Sequence, residues 1–503
     1  MNPLYTVAEI RAIEHAAAAT LPPGALMQRA GQAGANAALD LLPLSTSQAR
    51  VLVLAGPGDN GGDALEAAAH LSYTGAQVTL IHFGPADDSQ SSAERQAALQ
   101  RAKASDARFR AVEDASIAGT EWHLVVDGLF GIGLKRPLSG PLRTLVETVN
   151  QLRCSVLALD VPSGLDADTG CVVGPDGVAV HATHTITFIG NKPGLHTCDG
   201  RDHAGLVDIS RLEIDASHFA PATLHLNDVK FFARHLKARR HNSHKGSYGN
   251  VAVIGGARGM SGAPILAART ALNSGAGRVY ALFVEDALPC DPGQPELMCR
   301  PAGNYELNQA TLVIGPGLGD STPAQALLAS AIASGSPLLA DADALNLLAA
   351  DTSLQTVLAQ RSKPTVLTPH PLEAARLLDA NIAAVQADRL AAARTLAARL
   401  NAVVVLKGSG TVIAAPNGKA VINTTGNPAL ATAGTGDVLA GLCGALLAQG
   451  WPHWEAALAA VWLHGMAADV LVSEGCGPIG LTAAELIPAI RTAFNRMVQH
   501  HGR

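Results

Sequence analysis

Aromatic residues make up only 4% of this 503-residue chain, its seven cysteines include no C-x-x-C pair, and acidic residues outnumber basic ones. Each shortage excludes something. So few aromatics argue against an aromatic-laden all-β protein. Cys154, Cys171, Cys198, Cys290, Cys299, Cys443 and Cys476 are scattered without metal-ligand spacing, which suits reduced thiols in a cytosolic protein. Lys and Arg total 36 against 42 Asp and Glu, a net charge of −6, so no global basic field exists to hold nucleic acid. A secretory signal needs an unbroken apolar core, yet Glu9, Arg11 and Glu14 interrupt the first helical pattern. The most apolar late stretch, "VLAGLCGALLAQG", is too short to span a bilayer. No fixed period links one part of the chain to another, so no internal repeat is expected. These readings point to a cytoplasmic protein without nucleic-acid or membrane partners.

What is present is alanine, glycine and short apolar runs. Hydrophobic residues reach 48%, enough to bury sizeable cores, and the length suits two to four domains at roughly 100–200 residues each. Strand-like runs such as "ARVLVLAG" (49–56), "AQVTLIHFG" and "CSVLALDVPSG" (154–164) alternate with Ala/Leu-rich helical stretches. That alternation predicts α/β architecture, with parallel β-α-β units and helices on both sheet faces. Ligands then sit beyond the carboxyl ends of the strands. The pattern loosens between about Asp208 and Lys237 and restarts at "GNVAVIGG". The expected division is 1–215, a linker 216–235, and 236–503. The basic run "LKARRHNSHKG" (236–246) reads equally as a solvated segment or a loop edging an anion site.

Late in the chain, "AGTGDVLAG" sets Gly434, Gly436 and Asp437 ahead of a helical run starting at Val438. Glycines admit a ligand close to backbone N–H groups, and a helix N-terminus favours anions. Asp437 could take a proton from a hydroxyl attacking phosphorus. Alone, the tetrapeptide reads better as an ordinary loop with an Asp N-cap. Four more segments accompany it: "VVVLKGSGT" with Lys407, Gly408, Ser409, Gly410 and Thr411; "TLVIGPGLGDS"; "LLADADALNLL" with Asp341 and Asp343; and "TVLTPHPLEAARLL" with His370. All five segments are expected to follow strands, and a parallel sheet would gather them along one edge. Lysine, glycines and hydroxyls together are what a nucleotide phosphate needs.

In this order the motifs over residues 240–500 resemble the ADP-dependent NAD(P)H-hydrate dehydratases of the ribokinase-like superfamily. The resemblance implies a ribokinase-like α/β domain that repairs hydrated nicotinamide cofactor. The (6S) hydrate would be dehydrated at the expense of ADP, giving AMP and phosphate. Asp437 would be the base and a substrate contact, Gly436 would hold the phosphoryl group, and Lys407 to Thr411 would bind the AMP portion. Ala263, Gly317 and His370 match positions that contact the hydrate. Magnesium is expected with the nucleotide, with Asp341 and Asp343 as candidate ligands. Leu372 and Ala433 stand where the family has glycine.

In the first half, "VLVLAGPGDNGGDALEAAAHL" (51–71) reads as a strand, a turn carrying Asp59, Asn60, Gly61, Gly62 and Asp63, and then a helix. There is no Walker lysine and no G-x-G-x-x-G helix opening. "VVDGLFGIGLKRPLSGP" offers Asp127 and a glycine loop, and "LALDVPSGLDADTG" offers Asp160 and Ser163. Any one of these aspartates could be a simple loop or cap residue. Together they resemble the NAD(P)H-hydrate epimerases over about residues 1–215, implying a Rossmann-like α/β/α sandwich. By that resemblance Asn60, Asp127 and Ser163 would coordinate potassium. Residues 59–63, Gly131, Ile132, Gly133, Leu134, Lys135, Arg136, Pro137 and Asp160 would hold the hydrate. Asp160 would be the acid/base group, since inverting C6 requires moving protons on oxygen or ring nitrogen. Asp59 and Ala64 replace a frequent asparagine and glycine of the family.

The implied whole is a bifunctional repair protein acting on NADHX and NADPHX, in which one half interconverts R and S epimers and the other drains the S form. A homo-oligomer is expected. The rival reading is a kinase of a vitamin-precursor alcohol, a thiazole or pyrimidine, joined to a non-catalytic binding domain.

Overall fold

The structure, a computed structural model, describes residues 2–42, 45–84, 91–111 and 116–502. They form two compact units, residues 3–222 and residues 223–502, the latter taking in Asn2.

The first unit is built on seven strands: β1 (Arg50–Ala55), β2 (Gln77–His82), β3 (Arg108–Arg110), β4 (Leu124–Gly128), β5 (Ser155–Leu159), β6 (His184–Phe188) and β7 (Leu206–Ser210). They lie in the order β3-β2-β1-β4-β5-β6-β7, all parallel. This is the doubly wound order with one strand added, and its direction reverses between β1 and β4. A ligand crevice therefore opens where the loops after β1 and β4 part. Val51 to Ala55 are fully buried. A strand covered on both faces reads as an unbroken apolar run, which is why this sheet was visible in the sequence.

The segment after β1 departs from expectation. Residues 59–63 are not a turn: they open the helix Asp59–Tyr73, capped by Gly58. Glycine disfavours helices by about 1 kcal/mol, but here packing decides. A Cβ on Gly61 would lie 1.9 Å from the Gly56 carbonyl oxygen, and one on Gly62 would lie 2.5 Å from Met27. Gly61 lets the helix start press against β1's exit, and Gly62 lets it press against the helix Ala25–Asp40.

The second unit contains β8 (Leu224–Leu226), β9 (Asn250–Gly255), β10 (Arg278–Phe283), β11 (Met298–Pro301), β12 (Thr311–Ile314), β13 (Leu338–Ala340), β14 (Thr365–Leu367), β15 (Val403–Leu406), β16 (Val412–Ala414) and β17 (Ala420–Ile422). Their order is β8-β17-β16-β15-β14-β13-β12-β9-β10-β11. From β15 through β11 neighbours run parallel, while β15-β16 and β16-β17 are antiparallel. The exits of β12, β13, β14 and β15 thus line up along one edge, as the motifs required. The fifth motif differs. Gly434 follows an irregular stretch after β17, and the helix already begins at Thr435 and runs to Ala448. Asp437 sits inside its first turn.

That helix lies unusually close to its neighbours. A Cβ on Gly441 would fall 2.0 Å from the Ala267 carbonyl oxygen, and one on Gly444 would fall 2.3 Å from Val313. The glycine face lets the helix bed onto β12 and the helix Gly262–Asn273, which fixes where Asp437 is held. Among the described residues one helix, His453–Ser473, is long and apolar enough to cross a membrane by length and composition, a stretch not singled out from the sequence. Its most apolar stretch is mostly buried inside the protein, as for a core helix.

Candidate active sites

At the sheet edge of the second unit, charge is concentrated. Asp341, at the exit of β13, is 1% exposed. Its Oδ1 accepts from Lys407 Nζ at 2.7 Å and from Thr368 Oγ1 at 2.8 Å. Lys407 leaves β15 with its N–H bonded to the Pro369 carbonyl at 2.8 Å. Burial works against the Lys407 ammonium, but Asp341, Glu373 and Asp437 outweigh it and hold its pKa above the ordinary value. Gly436 lies beside this pair: a Cβ there would be 3.4 Å from Lys407 Nζ. Burial, then the Asp341 charge, pushes Asp437 up to about 7, against the pull of Lys407. A carboxyl poised near neutrality at a helix N-terminus, next to a fixed ammonium, is suited to removing a proton while negative charge collects nearby.

His370 caps the helix Pro371–Leu378, its Nδ1 accepting the Leu372 N–H at 3.1 Å. Glu373 returns the favour at the His370 N–H, 2.8 Å, and lies 3.2 Å from His370 Nε2. So Leu372 leaves the turn intact, since a capping box holds it. Burial pushes Glu373 up to about 7 and draws His370 below the ordinary histidine value. Across the switch between β9 and β12, a Cβ on Gly317 would come within 3.3 Å of Ala263 Cβ, so these two expected contacts are adjacent. Gly434 packs towards the same helix, where a Cβ would meet Leu266 at 2.8 Å. Within the Lys407–Thr411 segment, Lys407 is joined to the acidic cluster through Asp341. Thr411 Oγ1 turns back to the Gly408 carbonyl, and the buried Arg389 guanidinium supports the Leu406 and Lys407 carbonyls. Asp343 accepts the Gly319 N–H at 2.9 Å. Sequence reasoning missed Glu373, Thr368 and Arg389. The first stood in the quoted T-P-H-P segment, three residues after His370, as a capping-box pattern.

In the first unit, a cavity of about 760 Å³ opens at the β1/β4 switch, within the roughly 300–1,000 Å³ of small-molecule sites. Asp59, Asn60, Asp63, Gly131, Ile132, Gly133, Leu134 and Asp160 line it, together with Arg11 and Glu14. Gly61 and Gly62 do not; they serve the helix packing. Lys135, Arg136 and Pro137 are exposed and stand outside the lining, with Pro137 packed towards Gly174. Burial, then the Asp160 and Asp59 charges, drives Asp63 well above the carboxylate range, and burial likewise raises Glu14.

Behind the cavity, Asp127 is fully buried. Its Oδ1 accepts from Ser163 Oγ at 2.7 Å and its Oδ2 from the Ser163 N–H at 2.8 Å. Burial still pushes it up to about 6 despite these bonds. Asn60 donates to the Leu159 carbonyl at 3.0 Å, leaving Asn60 Oδ1 buried without a partner among the described residues. An orphan oxygen, a buried carboxylate and a hydroxyl are all oxygen donors, the chemistry a hard cation prefers. Among the described residues, no cluster of three His, Cys, Asp or Glu side chains is placed to hold a metal. Asp341 is instead occupied by an ammonium. Sequence reasoning noted Arg11 and Glu14 only as charges in the first helix and did not single out Lys192.

Comparison with known proteins separates the same two units. Residues 23–194 match the family described as YjeF-related protein N-terminus, and residues 251–491 match the NAD(P)H-hydrate dehydratase family. A bifunctional NAD(P)H-hydrate repair enzyme of Coxiella burnetii is 38% identical over 98% of this chain and 100% of its own length. An ADP-dependent (S)-NAD(P)H-hydrate dehydratase of Neisseria meningitidis is 47% identical over 53% of this chain and 92% of its own. Among solved structures, an ADP/ATP-dependent NAD(P)H-hydrate dehydratase of Bacillus subtilis is 30% identical over 54% of this chain and 98% of its own, with a TM-score of 0.46. With a relative of both halves aligned end to end, the chain belongs to the family of bifunctional NAD(P)H-hydrate repair enzymes.

Proposed function

We propose that residues 223–502 dehydrate (6S)-NADHX and (6S)-NADPHX with ADP, and that residues 3–222 interconvert the R and S epimers. The observation that carries the first activity is Asp437, a carboxyl pushed up to about 7 beside the Lys407–Asp341 pair. Hydroxide is a poor leaving group. Asp437 takes the 6-hydroxyl proton as that oxygen attacks the terminal phosphorus of ADP, and AMP departs. The phosphate then leaves C6 as C5 loses a proton, which restores the C5–C6 double bond of the reduced ring. Gly436 and the helix N-terminus receive the transferring phosphoryl, Lys407 supplies fixed positive charge, and the Lys407–Thr411 segment takes the AMP portion. Ala263, Gly317 and His370 face the hydrate. Asp341 is engaged by Lys407 and Thr368, so it fits magnesium poorly; in this reading magnesium arrives on the diphosphate.

In the first unit, Asp160 moves the proton and residues lining the cavity hold the hydrate. Asn60, Asp127 and Ser163 would hold a potassium ion, which would supply positive charge behind the cavity. The fused epimerase unit favours this reading over a vitamin-precursor kinase, because a kinase has no use for it.

The test uses purified (6S)-NADHX. With ADP, absorbance of the reduced ring should return with one AMP formed per hydrate. Failure of that recovery, with phosphorylation of a thiazole or pyrimidine alcohol, would establish the kinase.

A further inference from the structure

Lys192 is fully buried in the first unit. Its ammonium carries three N–H bonds, and three acceptors take them: Asp160 Oδ1 at 2.5 Å, Thr187 Oγ1 at 2.7 Å and the Phe188 carbonyl at 2.8 Å. None is left for a substrate. An ammonium this deep is costly unless paired and fully hydrogen-bonded, so the surrounding groups dictate its place.

Asp160 is constrained from both sides. Its backbone adopts the left-handed conformation with φ 64°, a strain that persists only where the surroundings enforce it. Oδ1 faces the protein, receiving Lys192 and the Phe188 N–H at 3.3 Å. Oδ2 points the other way, towards Gly131, where a Cβ would sit 3.0 Å from it. That glycine belongs to the cavity wall. One oxygen is tied and the other is presented.

We infer that Lys192 is a positioning residue for epimerisation, fixing the Asp160 carboxylate with Oδ1 held by the protein and Oδ2 aimed at the bound hydrate. Thr187 completes the arrangement by holding the ammonium. The role rests on the epimerase reading of this unit. Lys192 acts through Asp160 and touches no substrate, so its loss should lower turnover and leave hydrate binding alone.

The experiment follows conversion of pure (6R)-NADHX to the S epimer chromatographically, using the full chain without ADP. Lys192→Met should lower kcat by about 100-fold with KM unchanged. In an Asp160→Asn background, Lys192→Met should cost nothing further, because its only route to the reaction is already gone. Dehydration of the S hydrate with ADP, measured on the same preparations, should match wild type. If Lys192→Met fails to fold, Thr187→Val carries the test: it keeps the ion pair, removes one acceptor, and should lower kcat less severely, again at constant KM. A raised KM with kcat preserved, full additivity with Asp160→Asn, or unaltered kcat in a folded variant would each overturn the role. A wild-type chain that dehydrates S hydrate but never interconverts the epimers overturns the epimerase reading, and this role with it.

Discussion

Asp437→Asn should trade activity for stability, and the trade should depend on pH. The wild-type carboxyl is pushed from an ordinary 3.8 to about 7 in the folded protein. Because the folded value is the higher one, keeping this group costs nothing below about pH 4. The cost grows as pH rises and is complete above about pH 7. Three units at about 1.36 kcal/mol each give roughly 4 kcal/mol, and partial solvent access reduces that to roughly 2 kcal/mol. Asparagine carries no charge at any pH. The variant should therefore unfold at higher urea than wild type at pH 8.5, and the gap should narrow towards pH 5.5. Trp451, Trp454 and Trp462 all report on this unit, so tryptophan fluorescence can follow its transition. Over the same range wild-type dehydration should fall about tenfold per unit below pH 7, as the base becomes protonated, while the variant's residual rate, lower by about 100-fold or more, stays flat. Full activity in the variant would refute the role of this carboxyl. A stability gain equal at both pH values would refute the electrostatic argument.

Three further outcomes are expected. Lys407→Met leaves Asp341 buried without its cation and should destabilise the unit by about 3–5 kcal/mol while weakening use of ADP, read from urea midpoints and AMP release. Gly436→Ala places a methyl where the phosphoryl would travel, 3.4 Å from Lys407 Nζ. Alanine favours the helix by about 1 kcal/mol, so folding should hold while AMP release drops at least about tenfold. Asn60→Leu removes the orphaned Oδ1. R-hydrate conversion in potassium buffer should then fall by about tenfold, to the rate wild type shows when a large organic cation replaces potassium.

The sequence carried the parallel sheets plainly, because β1, β9, β12 and β15 are largely apolar and run out into glycine or lysine. It placed Lys407, Asp341 and His370 on one edge for the same reason: consecutive parallel strands deliver their exits together. Other features were invisible to local rules. The helix at Asp59 looked like a turn, since Gly61 and Gly62 oppose helix formation until the Gly56 carbonyl and Met27 are seen pressed against them. Lys192 carried no local signal, because its partner Asp160 lies 32 positions away. Lys135 and Arg136 were expected, by resemblance, to hold the hydrate, and both are exposed to solvent. Gly434 reaches the edge without a preceding strand, so its placement depended on the glycine-lined bed of its helix, a packing property with no periodic signature.

Position 160 has a consequence for reading relatives of this chain. A backbone in that mirror-handed basin admits glycine, asparagine and aspartate readily and rejects branched residues on steric grounds alone. An aspartate retained there across many sequences would thus reflect two separate pressures, one of shape and one of reactivity. Exchange for asparagine preserves the first and removes the second, whereas exchange for alanine or valine confounds them.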